Sequence, residues 1–185
     1  MFISQQLRKD NIAEYLLYMW QVEDLLRAYG CSLAKIRREY VARFAYTDEQ
    51  KEELADWYGN LINMMNTEGC RQAGHLQINN IVMQQLEELN SRLLASQKYP
   101  FYTSEYYRVL PFIVELRRKS TEADSGRALP SEIETCFNAL YGTMLLRLQN
   151  KTISPDTQHA INEITTFVGM LSDYYKKDNQ QPLEL

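Results

Sequence analysis

Apolar residues recur at three- and four-residue steps along most of this 185-residue chain, in long segments that few glycines or prolines interrupt. That period gathers side chains on one face of an α-helix, whereas a half-buried strand needs strict alternation. Within residues 4–29, Ile12, Leu16, Met19, Val22 and Leu26 share such a face, and Gly30 stands where a helix C-cap belongs. Seven glycines and 5 prolines are too few for the corners of a sandwich or barrel, and 45% apolar residues argue against disorder. The expected fold is all-α: a single-domain bundle of six or seven helices over residues 1–178, with residues 179–185 as a flexible C-terminal tail.

Local punctuation sets the remaining helices. Ser32 is an N-cap for a second helix over residues 32–44, whose outer face is basic. Thr47 with Gln50 forms a capping box for a third, which carries Leu54, Trp57, Tyr58 and Leu61 and closes at Gly69. A fourth spans residues 74–96 and is broken by Tyr99 and Pro100, because the residue before a proline is pushed out of the helical region. The fifth opens at Thr103 or Ser104, and Pro111 should kink or divide it. Residues 121–129 form a polar loop, the expected place for mobility and nicking. After Pro130 and Ser131 comes a sixth helix, apolar nearly all round through Phe137, Tyr141, Met144, Leu145 and Leu148, and expected to be the most buried element. Ser154 followed by Pro155 at the first helical position opens the seventh.

A shift of 83 residues aligns Tyr58 and Gly59 with Tyr141 and Gly142, and Ile78, Asn79 and Ile81 with Ile161, Asn162 and Ile164. Such an echo suggests an internal pseudo-duplication of two three-helix units in matching helical phase.

Twenty basic residues against 24 acidic ones leave a net charge of −4, which argues against nucleic acid and anionic membranes as partners. Cys31, Cys70 and Cys136 are widely spaced, with no C-x-x-C pair, and read as small core residues in a reducing compartment. The first residues turn polar after three positions, unlike a secretory leader, and no apolar run reaches the roughly 20 residues that span a bilayer. A cytoplasmic location is the expectation.

Four segments carry a family resemblance: residues 8–24, residues 74–79 (Gly-His-Leu-Gln-Ile-Asn), residues 110–117 (Leu-Pro-Phe-Ile-Val-Glu-Leu-Arg), and residues 133–137 continuing through Leu140, Tyr141 and Gly142. Together the chain resembles domain-of-unknown-function family 4924, from about residue 3 to residue 177. The resemblance implies a mainly helical, single-domain, cytoplasmic bacterial protein, and it implies no activity and no catalytic residue.

Function must therefore be argued from individual side chains. Glu23 falls on the apolar stripe of the first helix, four residues after Met19 and seven after Leu16, and a carboxylate there needs a partner. Arg27, one turn on, is the expected one, either as a structural ion pair or as a ligand anchor. A pocket lined by Glu23, Arg27, His75, Glu115 and Glu134 is the resulting small-molecule or enzyme reading. His75 suits proton transfer near neutrality. Two histidines, neither in a Glu-x-x-His unit, do not make a di-iron site, so no metal and no cofactor is expected. Nucleophile elbows, phosphate loops and dinucleotide fingerprints are lacking. The leading expectation is a non-enzymatic module that self-associates or docks a protein through an aromatic face, with Trp20, Trp57, Tyr106, Tyr107 and Tyr141 as candidates among 2 tryptophans and 13 tyrosines.

Overall fold

The computed structural model describes residues 2–123 and 129–184. Among them lie eight α-helices, one 3-10 turn and no strand: α1 (Phe2–Asp10), α2 (Ile12–Ala28), α3 (Leu33–Glu39), the 3-10 turn Val41–Arg43, α4 (Asp48–Thr67), α5 (Gln77–Ala95), α6 (Pro100–Ala123), α7 (Glu132–Leu148) and α8 (Pro155–Gln180). The fold is all-α as expected, with eight helices rather than six or seven.

The extra helix comes from a break at Asn11. Its Oδ1 accepts hydrogen bonds from the Ala13 N–H at 3.1 Å and the Ser172 hydroxyl at 2.8 Å, so Asn11 caps α2 and ends α1. The expected second helix stops at Glu39, and Tyr40 leads into the 3-10 turn. Pro100 begins α6 instead of ending its predecessor, since proline at the first helical position lacks only an N–H that has no partner there anyway. Pro111 does not divide α6, which continues to Ala123 and so takes in the start of the expected 121–129 loop. Residues 124–128 of that loop lie outside the described residues. The capping box of Thr47 and Gln50, the N-caps Ser32, Ser131 and Ser154, and Pro155 at the start of α8 are all in place.

Contacts group the chain into two compact units, one of residues 1–10 and 14–82, the other of residues 11–13 and 83–185. In the first, α3 packs on α4, and Leu16, Leu26, Ile36 and Met65 are fully buried. In the second, α8 packs against both α6 and α7 and buries Phe167 and Leu171 completely, so α8 rather than α7 is its centre. The expectation that α7 would be the most buried helix does not hold. It buries Ile133, Cys136 and Phe137, but Tyr141, Met144 and Leu145 are half-exposed and Leu148 is 70% exposed. All three cysteines are free and buried.

The 83-residue echo is out of phase with burial. Asn79 is buried and Asn162 exposed, whereas Ile81 is 44% exposed and Ile164 fully buried. Buried positions align one residue earlier: Asn79, Val82, Leu86, Leu89 and Asn90 with Ile161, Ile164, Val168, Leu171 and Ser172. The matched letters are thus not equivalent positions.

Candidate functional site

The turn between α4 and α5 is fastened at both ends. Gly69 (φ +73°) ends α4, and the Cys70 N–H reaches back to the Met65 carbonyl at 3.0 Å to close the last turn. Gly74 (φ +86°) takes a second left-handed conformation, which keeps α5 from starting there. Two arginines fasten the turn through main-chain carbonyls, one from outside it and one from within. Arg27 donates to the Cys70 carbonyl at 3.1 Å and to the Gly74 carbonyl, and Arg71 donates to the Gly30 carbonyl at 3.0 Å.

Glu23 enters this turn from α2 with no exposed surface. Its Oε1 accepts from the Leu76 N–H at 2.9 Å and from Asn79 Nδ2 at 2.7 Å, and its Oε2 lies 2.6 Å from His75 Nδ1. Glu68 accepts from the Gln77 N–H at 2.6 Å. Two carboxylates thus serve the N-terminus of α5, where backbone N–H groups lack helical partners and the dipole is positive. A carboxylate only accepts, so Nδ1 of a neutral His75 carries the hydrogen and Nε2 is left as an acceptor. Trp20 stacks on the imidazole at 4.2 Å between centroids, which fixes the ring plane. The Asn79 amide cannot be turned over without setting its carbonyl against the carboxylate. Its buried Oδ1 has no hydrogen-bond partner.

Arg27 is therefore not the partner of Glu23. It pairs with Asp24 at 2.8 Å, and the acid on the apolar stripe is matched by donors from a turn 52 to 56 residues away. Glu23, Arg27 and His75 do share this turn. Glu115 and Glu134 belong to the second unit. Glu115 is exposed, is paired with Lys119 at 2.6 Å, and edges a 310 Å³ groove floored by Phe112, Leu116, Ala160 and Ile161. Glu134 sits half-buried in the first turn of α7.

Chemistry at the turn does not run through cysteine. Burial first, and then the charges of Glu23 and Glu68, push the Cys70 thiol above its ordinary value, which disfavours the reactive thiolate. Among the described residues no three His, Cys, Asp or Glu side chains gather as a metal ion requires.

The five aromatic candidates divide. Trp20 is buried under His75, Trp57 is half-buried against Tyr58, and Tyr106 is buried with its hydroxyl donating to Glu132 at 2.6 Å. Tyr141 is half-exposed, and Tyr107 alone of the five is well exposed, at 62%. On the basic outer face of α3, Arg37 pairs with Glu52 and Asp56, and Arg38 with Glu39. No helix among the described residues is long and apolar enough to cross a membrane.

Sequence reasoning missed Asn79, Glu68 and Arg71. Asn79 stands in the first turn of α5, where a polar side chain signals capping, and that was the readable clue. Neither a curated protein nor a solved structure matches the chain. A family model described as a domain of unknown function matches residues 1–182, almost the whole length, and the chain therefore belongs to that family, DUF4924.

Proposed function

We propose that this chain is a protein-docking module and that the outer face of the C-terminal half of α7 is its contact surface. One observation carries the reading: the buried side chains of α7 lie between Ile133 and Thr143, whereas its last turn leaves leucines open to water. Leu145 is half-exposed, and Leu146 and Leu148 are exposed at 37% and 70%. Leucines grouped at a helix end belong in a core or against a partner, because leaving them in water forfeits about 25 cal/mol for each Å² of apolar area. The Glu23 cluster supports the pocket reading less well, since both carboxylate oxygens are already engaged by α5 and His75.

Native mass spectrometry of the protein purified from its own host tests this. The expected result is a retained polypeptide, of either the same or another sequence, that is lost from the variant Leu145→Glu/Leu148→Glu while helix content is unchanged. A wild-type chain that carries no polypeptide, or a variant that keeps it, overturns the proposal.

A further inference from the structure

We propose that His75 is a phosphoryl-acceptor site: its Nε2 takes a phosphoryl group from a small donor with an activated P–N or P–O bond, and Glu23 holds the ring ready for it. The proposal is independent of the docking reading, since Trp20, Glu23 and His75 all belong to the first unit.

Histidine acts as a nucleophile only through a ring nitrogen that carries no hydrogen. In a free imidazole that hydrogen moves between the two nitrogens. Here Glu23 Oε2, 2.6 Å from Nδ1, keeps it on Nδ1 and leaves the lone pair on Nε2. The carboxylate has no exposed surface, so water does not compete for the hydrogen bond. Capping α5 does not call for this contact, because the Leu76 N–H and Asn79 both meet the other oxygen, Oε1. Trp20 covers one face of the ring at 4.2 Å. The His75 side chain is nevertheless 30% exposed, and with Nδ1 turned to the buried carboxylate the open edge is the one that bears Nε2. No hydrogen bond occupies Nε2 among the described residues.

The transfer needs no further base. The Nε2 lone pair forms the N–P bond as the donor's bond to phosphorus breaks, and that electron pair leaves with ammonia from a phosphoramidate or with a carboxylate from an acyl phosphate. No proton leaves the ring. The resulting imidazolium keeps its Nδ1 hydrogen, and its new positive charge lies against Glu23, which stabilises it. His159, the second of the 2 histidines, is exposed and packs edge-on against Phe112, with no carboxylate on either nitrogen among the described residues. It serves as the control within the same chain.

The test treats the purified full chain with phosphoramidate and follows both histidines by peptide mass spectrometry at alkaline pH, where phosphohistidine survives. In the folded chain His75 should react at least about tenfold faster than the more exposed His159, a barrier difference that urea should erase. Nitrogen NMR should show the Nε2 isomer alone at His75. Glu23→Gln offers an NH2 group to Nδ1 and moves the hydrogen to Nε2, so His75 should lose its advantage while the circular dichroism spectrum is unchanged. A folded wild-type chain in which His75 reacts no faster than His159, or carries the phosphoryl group on Nδ1, overturns the proposal. An advantage that survives Glu23→Gln removes the carboxylate from it.

Discussion

The Leu76 N–H donates to Glu23 Oε1 at 2.9 Å, so the first turn of α5 is capped by a side chain 53 residues earlier in the sequence. Asn79 and His75 converge on the same carboxylate, and all of it is shielded from water. Glu23→Ala would strand one backbone and two side-chain donors, and the loss should resemble that of breaking a buried pair from one side, about 3–5 kcal/mol. Glu23→Gln keeps one oxygen to accept from Leu76 and Asn79 but turns an NH2 toward His75 Nδ1, and should cost about 1–3 kcal/mol. Urea unfolding checks both, as midpoint shifts at constant m-value. Equal and negligible losses would contradict the geometry.

That cap also marks where the sequence was legible and where it was not. Helical period, N-caps and the capping box are local, and they placed α4 and the starts of α7 and α8 to within a residue or two, while α8 runs on to Gln180, into the expected tail. Asn11 was local as well, with Glu14 three residues on in a capping-box spacing, but no glycine or proline stands beside it, and the boundary went unread although the stripe starts only at Ile12. The partner of Glu23 was not local. The i,i+4 rule offered Arg27, whereas the turn at Gly69 and Gly74 brought the α5 N-terminus to the carboxylate and drew Arg27 to its carbonyls. Periodicity gives the faces of α7 but not what covers them, so Leu145 and Leu148 read as core when they are half-exposed and exposed.

A second buried polar contact joins α5 and α6. The hydroxyl of Tyr102, which has no exposed surface, donates to Asn90 Oδ1 at 2.7 Å, with Asn90 itself only 6% exposed. Tyr102→Phe leaves that carbonyl unpaired and should cost about 1–3 kcal/mol. Asn90→Leu in the Tyr102→Phe background should recover part of the loss, because no polar group is then orphaned. A double-mutant cycle measures the coupling, and additive losses would show that the bond contributes nothing.

Acid stability depends in part on Asp178. Its carboxyl is held below the ordinary value first by the hydrogen bond from Arg92, at 2.8 Å, and then by the Leu183 N–H against an opposing cost of burial. A depressed carboxyl favours the folded state above the unfolded value near 3.8, and that contribution disappears as pH falls through the lower folded value. Arg92→Met removes the main cause. The variant should lose stability at pH 6 yet show a shallower decline between pH 5 and 2 than the wild type (about the range over which a paired carboxylate titrates). Parallel acid transitions followed by circular dichroism would refute the linkage.

Alkaline conditions act on a different set of groups, with the opposite sign. Burial pushes the Cys136 thiol up to about 12 from 9.0, and burial likewise raises the hydroxyls of Tyr58 and Tyr102. For a group whose folded value is raised, the stabilisation is intact below the unfolded value and is lost as pH climbs toward the folded one. The window for Cys136 therefore opens near pH 9 and closes near 12, and the tyrosines join from 10 upward. One such thiol contributes a slope of up to about 1.4 kcal/mol per pH unit within that window. Replacing Cys136 by alanine leaves a small cavity but removes its share of the slope. Its unfolding free energy should start lower at pH 8 and fall less steeply to pH 10 (roughly the first part of the thiol window). Some slope should persist, because the Cys70 thiol is raised too. Two pH dependences that run parallel from 8 to 10 would mean that Cys136 meets water in the folded chain, contrary to its position on the inner side of α7.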